Sequence, residues 1–128
     1  MKRKHMPNRR ETIRQRVTIG GKRLFVDVGL YKEGDVGEIF LAIERTGSDL
    51  RATMDVVARL VSVGLQSGVK LERYIDMLHN TRFAPAGVVT GDKRIKFASS
   101  PLDYVARYLA VYYNDDDTMA HVKQEDVL

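Results

Sequence analysis

The sequence contains no cysteine and no tryptophan, and only three of its 128 residues are proline. The absence of cysteine excludes disulfide bonds, thiol nucleophiles and zinc sites built from thiolates. No apolar run approaches the roughly 18 residues that cross a membrane. No apolar segment follows the basic start of the chain, as it would in a secretory signal. We therefore expect no membrane partner and a cytoplasmic location.

Motifs for catalysis and metal binding are also lacking. The three histidines, His5, His79 and His121, are far apart in sequence and form no pair at the spacing of a transition-metal site. The chain has no nucleophile elbow, no phosphate-binding P-loop and no dinucleotide fingerprint. The aspartates at 115–117 could attract a divalent cation, but such a run is typical of a solvated cluster. The sequence predicts a protein that is not an enzyme and needs no cofactor or metal.

The net charge of +4 is unevenly distributed. Residues 1–23 hold nine basic side chains and one acidic side chain, whereas residues 114–128 hold five acidic and one basic. We interpret residues 1–11 as a basic arm, 12–113 as one domain and 114–128 as an acidic tail that should be mobile. A basic arm can contact phosphate. A solvated arm, or one paired with the tail, is the favoured interpretation, so nucleic acid is not an expected partner.

Alternation of apolar and polar residues predicts three consecutive strands. The first begins at Thr12 and ends before Gly20-Gly21, a pair typical of a tight hairpin because both positions need positive φ. The second covers residues 22–31 and the third covers residues 36–44, with a glycine-containing turn between them. The pattern predicts a three-stranded antiparallel meander.

The apolar period then changes to that of a helix. A long helix is predicted over about 49–67, capped by Ser48 or Asp49. A shorter helix is predicted over about 70–79, and a third after Ser99-Ser100-Pro101. Between them lies a long loop, residues 80–99, with strand-like pieces at 87–90 and 94–98. The predicted fold is therefore α+β: the meander packed by one long helix and two shorter ones, with a long loop that we expect to be functional.

Two segments could form a ligand pocket. At the start of the long helix, Gly47, Ser48 and Asp49 could present backbone N–H groups to an anion; an ordinary helix cap is the alternative. At the start of the long loop, Arg82 could bind phosphate and Phe83 could stack on a base. The alternative is that Phe83 packs into the core while Arg82 is solvated.

Other charged residues are further candidates. Asp92 lies within the same loop and is included in the predicted ligand site. Asp103 and Arg107 lie four apart on the last helix, where they would pair across one turn, or Asp103 would accept a hydrogen bond from a ligand or from the loop. Arg51 and Arg59 on the long helix are candidates for a second anionic site or for subunit contacts.

Several short motifs, in order, resemble the TSCPD domain found toward the C-terminus of vitamin-B12-dependent ribonucleotide reductases. The resemblance covers about residues 10–113 and is carried by VTIGGKRLFVDVGLYKEGDVGEIFLAIERTGSDLRATMD, VGLQSGVKLE, NTRFAPAG and ASSPLDYVARYLA. The string Thr-Ser-Cys-Pro-Asp, which gives the domain its name, does not occur. Reductase radical chemistry needs cysteines and cobalamin, so the resemblance implies an accessory module without catalysis.

Stand-alone domains of similar appearance occur in phages, where some resemble anti-defence sponges. Such sponges hold cyclic ADP-ribose isomers or cyclic oligonucleotides without cleaving them. The resemblance thus implies sequestration of a phosphorylated, nucleotide-like small molecule, in the host cytoplasm if the chain is phage-encoded. Enclosing such a ligand favours a homo-oligomer. The alternative is an accessory interaction module of a ribonucleotide reductase.

Overall fold

The glycine pair at residues 20–21 closes the predicted hairpin in the computed structural model, which describes residues 2–127. Gly20 and Gly21 have φ of 54° and 83°, as a two-residue hairpin requires. They join strand β1 (Thr12–Ile19) to strand β2 (Lys22–Leu30), and β3 (Val36–Ile43) pairs with the other side of β2. All three strands are antiparallel, so the predicted meander is confirmed.

Two short strands from the long loop extend this sheet. Strands β4 (Gly87–Thr90) and β5 (Phe97–Ala98) give the order β3-β2-β1-β4-β5. Of the second strand-like piece, which was predicted over 94–98, only the last two residues form a strand. The reason is that the amides of Arg94 and Ile95 donate to the Asp92 carboxylate, at 2.8 and 2.9 Å, instead of joining a strand ladder.

Three helices complete the α+β fold that the sequence predicts: α1 (Ser48–Gln66), α2 (Leu71–Leu78) and α3 (Pro101–Tyr113). Helix α3 begins as expected, since the Ser100 hydroxyl accepts a hydrogen bond from the Asp103 amide. Helix α1 does not. Gly47, in an extended conformation, is its N-cap, and no side chain caps it. The prediction that Ser48 or Asp49 would cap this helix is therefore wrong.

One face of the sheet packs against the helices, and its strand residues form the core together with buried residues of α1 and α3. The alternate residues point to the opposite face, on which the Thr18 and Thr90 hydroxyls bond across β1 and β4. Cross-strand pairing places further side chains there. We call this surface the open sheet face and define it by Arg14, Arg16, Phe25, Phe40, Val88 and Phe97.

Helix α1 lies along the edge strand β3 and satisfies part of its backbone. The Ser62 hydroxyl bonds to both the N–H and the C=O of Ile39, at 2.9 and 3.1 Å. The Gln66 amide donates to the carbonyl of Gly37 at 2.9 Å. Unpaired edge groups invite pairing with another chain. These helix side chains therefore take the place of a neighbouring strand.

The arm is packed against the domain. The Lys4 amide donates to the Gln66 carbonyl at the end of α1, and the Arg10 guanidinium forms two bonds to Glu38. Within residues 2–127, the ionic partners of the arm thus belong to the body of the domain and not to the acidic tail. Within residues 2–127, no helix has the length and apolar character needed to cross a membrane.

The acidic tail, which the sequence predicts to be mobile, is also bonded to the domain. The amides of His121 and Val122 donate to the Arg94 carbonyl, at 2.9 and 3.0 Å. The Arg94 side chain in turn donates to the carboxylate of Asp117. Composition suggested a solvated tail because composition shows only the charge of the tail. It does not show that the buried Arg94 binds the carboxylate of Asp117.

We predict that Ser62→Ala lowers the free energy of unfolding by about 1–3 kcal/mol, because the backbone groups of Ile39 lose their partner. Urea denaturation measures this. Thr53→Ala is the matched control: its hydroxyl bonds only to the Asp49 carbonyl within the exposed part of the same helix, so a change within about 0.5 kcal/mol is expected. Equal losses in the two variants would show that the edge contact does not stabilise the fold.

Candidate functional site

A cavity of about 480 Å³ lies between the turn that opens α1 and the loop that precedes β4. Thr46 and Leu50 line it from the helix side, and residues 84–86 line it from the loop side. The cavity is thus lined by neighbours in sequence of the two segments that were suggested as halves of a pocket, but its lining contains none of Gly47, Ser48, Asp49, Arg82 or Phe83. Gly47, Ser48 and Asp49 are exposed at the start of the helix.

The wall of this cavity also contains Lys22 and Arg45. Neither has a carboxylate within salt-bridge distance among residues 2–127. The start of α1 adds backbone N–H groups that no side chain caps, and these favour negative charge. The lining from Leu50 and Pro85 is apolar. The cavity is thus suited to a small ligand with an anionic and an apolar part.

Arg82 and Phe83 are not in the lining of this cavity. Phe83 is half-buried and packs against the core, and its amide donates to the Ser99 carbonyl at 3.2 Å. Arg82 is exposed to solvent. This arrangement matches the alternative in which the phenylalanine supports the fold and the arginine is solvated. A ligand-binding role for either residue remains a prediction.

Asp103 is a buried carboxylate, 1% exposed, whose oxygens are used within the domain. It accepts the amide of Asn80 at 2.8 Å, the amide of Ser99 at 3.0 Å and the Arg107 guanidinium at 3.1 Å. Burial by itself raises the pKa of Asp103. The two amides and the guanidinium outweigh this effect, so the pKa lies below its ordinary value. The sequence offered two alternatives for Asp103, a pairing with Arg107 or a hydrogen bond from the loop, and both contacts occur.

Asp92 is likewise enclosed. Besides the amides of Arg94 and Ile95, it accepts the phenol hydroxyls of Tyr104 at 2.8 Å and Tyr112 at 2.9 Å. Burial, followed by the contact with Asp92, raises the pKa of both phenols. With four internal donors, this carboxylate holds the loop in shape. The contacts disfavour the ligand-binding role that the sequence suggested for it, which remains a prediction.

The remaining charged candidates lie on the outside of α1. Arg51 is exposed, and Arg59 pairs with Asp55 across one turn at 3.2 Å. Exposed pairs of this kind contribute little to stability. Their roles in a second anionic site or a subunit contact remain predictions. No group of three or more potential metal ligands is gathered anywhere in the described part of the chain.

Sequence reasoning missed Arg94. Its side chain is almost fully buried, and its guanidinium binds the tail through Asp117 and the carbonyl of Val122. It lies between Lys93 and Lys96, so the sequence does not distinguish it from a solvated cation. The only signal available was its place inside a loop already judged to be functional.

Comparisons with known proteins agree on one family. The family model described as the TSCPD domain matches residues 1–113. A vitamin B12-dependent ribonucleotide reductase of Agrobacterium fabrum is 43% identical over 124 residues, which is 97% of this chain and 10% of the relative. The protein of the same name from Bradyrhizobium diazoefficiens is 44% identical over 120 residues, or 94% of this chain and 10% of the relative. That from Rhodopirellula baltica is 34% identical over 112 residues, 88% of this chain and 11% of the relative.

The chain therefore spans about a tenth of the length of these three relatives. No solved structure matches it.

We predict that Asp103→Asn lowers the free energy of unfolding at pH 7 by at least about 2 kcal/mol, because an amide cannot accept from all three donors. A carboxyl whose pKa is lowered by folding stabilises above its ordinary pKa of about 3.9 and loses that contribution as pH falls below it. The difference between wild type and variant should therefore shrink at pH 3. Urea denaturation at both pH values measures it.

Asp76→Asn on the exposed side of α2 serves as the control for this prediction and should change stability little at either pH. A difference between wild type and Asp103→Asn that is as large at pH 3 as at pH 7 would contradict the assigned role of the charge.

Proposed function

Because the chain belongs to the TSCPD domain family, we propose that it is a non-catalytic accessory domain that docks onto a ribonucleotide reductase. The supporting observation is the unequal coverage of the match: 97% of this chain but only 10% of the Agrobacterium reductase. The chain thus corresponds to one domain-sized part of a much larger protein. A non-catalytic domain of this size is suited to contact the other domains of such a protein.

The inventory of reactive groups supports a binding role. The chain has no cysteine, which reductase radical chemistry would need. The carboxylates of Asp92 and Asp103 are occupied by bonds within the domain. These are contacts that stabilise a fold, and none of them presents a free acid or base to a substrate.

The open sheet face supports docking. Phe40 on β3 is 50% exposed and Phe97 on β5 is 53% exposed, and Val88 lies directly across from Phe97. Between these positions, the Arg14 guanidinium stacks on the Phe25 ring at 4.8 Å. Exposed apolar groups mixed with arginine are typical of interaction surfaces. We propose this face as the surface that contacts the reductase.

We predict that the chain binds the Agrobacterium fabrum reductase from which the matching segment has been removed, and binds the intact enzyme more weakly because its own segment competes. Biolayer interferometry measures both affinities. Phe40→Ser combined with Phe97→Ser should weaken binding at least tenfold, since exposed aromatic anchors carry much of an interface's energy.

Leu60→Ser is the matched control for the docking prediction. Leu60 is an apolar residue, 65% exposed, that lies on α1 and not on the open sheet face, so its substitution should leave affinity unchanged. Binding that is lost in Leu60→Ser and kept in the phenylalanine variant would move the interface to α1. No binding to either form of the reductase would exclude the docking function.

A second candidate is capture of a nucleotide-derived signal, such as a cyclic ADP-ribose isomer or a cyclic oligonucleotide. The cavity that contains Lys22 and Arg45 beside the uncapped start of α1 favours it, because cations and free amides suit phosphate. A homo-oligomer that encloses the ligand belongs to this proposal. Either function would place the protein in the cytoplasm.

For the second candidate, we predict that one member of a panel of these cyclic nucleotides raises the melting temperature by several degrees through mass action. The ligand should be recovered chemically unchanged. Lys22→Gln combined with Arg45→Asn should remove the shift, and asparagine tolerates the positive φ of Arg45.

Arg82→Ala tests the role that the sequence suggested for Arg82. If Arg82→Ala removes the rise in melting temperature while the Lys22 and Arg45 variant keeps it, the ligand binds outside the cavity at the start of α1. A flat response across the panel would exclude this candidate and leave the docking function standing.

A further inference from the structure

Three acceptors from the tail satisfy two arginines of the domain. The Arg94 Nη2 donates to the Asp117 carboxylate at 2.9 Å, and its Nε donates to the Val122 carbonyl at 3.0 Å. The Arg107 Nη1 donates to the Met119 carbonyl at 3.0 Å, while its Nε is held by Asp103. We call residues 116–122 the tail strap. Oxygens of the strap thus accept hydrogen bonds from the guanidinium groups of Arg94 and Arg107.

Burial is uneven across this contact. The Arg94 side chain is 6% exposed, whereas that of Asp117 is 59% exposed. A guanidinium keeps its charge at any ordinary pH and is costly to leave buried without a partner. The anion is therefore the partner that can leave easily, and the cation needs another acceptor when it does.

The donors on Arg94 suit an oxyanion better than they suit the strap. Nε and Nη2 lie on one edge of the guanidinium, the edge that binds two oxygens of one carboxylate or phosphate in parallel. In the structure this edge is divided between a carboxylate and a separate carbonyl. Arg107 adds a third donor. Asp117 and Met119, which accept from Arg94 and Arg107, lie in the same turn of 3-10 helix, so the two guanidinium groups reach one short segment. A phosphate group has enough oxygens to accept from all three donors.

The strap is held mostly by polar contacts. None of its residues is fully buried, and Met119 and Ala120 alone in it pack partly against the core. Its remaining bonds to the domain are two backbone contacts with Arg94, one from the Asp116 amide to the Ala110 carbonyl of α3, and one from the Lys96 amide to the His121 ring. Segments with few buried apolar contacts open at low cost.

We propose that Arg94 and Arg107 form a binding site for a phosphate group, and that the acidic tail closes this site until the phosphate displaces it. Asp117 then acts as an internal substitute for the ligand. The site is separate from the cavity at the start of α1, whose lining contains neither arginine. The proposal does not depend on docking to a reductase.

The experiment uses the full chain with inorganic phosphate and with pyrophosphate, at constant ionic strength set with sodium chloride. Isothermal titration measures affinity, and hydrogen exchange measures the amides of His121 and Val122. We expect saturating phosphate to speed the exchange of these amides at least tenfold. Asp117→Asn should bind phosphate at least fivefold more tightly than wild type, because the competing carboxylate has been removed.

Asp126→Asn is the matched control: it changes the net charge equally, but outside the strap, and should bind phosphate like the wild type. Arg94→Lys keeps the charge and loses the paired donors, so it should bind weakly even when combined with Asp117→Asn. Equal affinities in the two aspartate variants, no binding by Asp117→Asn, or phosphate binding without faster exchange of the strap would each overturn the proposal. Reductase binding by Asp117→Asn, measured in parallel, reports on the docking function separately.

Discussion

The carboxylate of Asp103 determines where the segment between α2 and α3 begins and ends. It accepts the amide of Asn80, just after α2, and the amide of Ser99, just before α3. That segment carries β4, β5 and one wall of the cavity. Both ends of the segment are therefore held by one buried anion, which pairs with Arg107. Helix α3 is the fixed element to which the segment is attached.

The interior of the same segment is organised by a second carboxylate. Asp92 gathers two backbone amides and two tyrosine hydroxyls, and this leaves the side chain of Arg94 directed to the tail. The meander differs, because its strands satisfy one another through a regular ladder. A loop that looked functional from its glycines and charges thus uses many of those charges to hold its own shape.

The two surfaces proposed for binding are neighbours in sequence. Phe97 belongs to the open sheet face, while Lys96 and Arg94, just before it, contact the tail strap. Docking on the sheet and phosphate binding under the strap would therefore act on the two sides of one short segment. Such an arrangement would place the two proposed binding events close to each other in the domain.

The sequence alone determined the elements that depend on local chemistry. The strands follow from alternation, the first hairpin from Gly20-Gly21, and α3 from Ser100 followed by Pro101, and all of these lie within a few residues of where they were predicted. These features depend on residues close together in the chain, so periodicity and turn preference are sufficient to find them. The pocket that the sequence suggested between the start of α1 and the 80–99 loop remains a prediction, because the residues named for it do not line the cavity found there.

Only the tertiary structure decided which side chains of the candidate site are free. Arg94 meets Asp117 across 23 positions, and Asp92 meets Tyr112 across 20. The alternation of a strand does not show whether a distant donor will reach a carboxylate, or whether a tail will fold back onto an arginine. Those outcomes depend on how separate elements pack, because a buried charge accepts whichever partner the packing brings within hydrogen-bond distance.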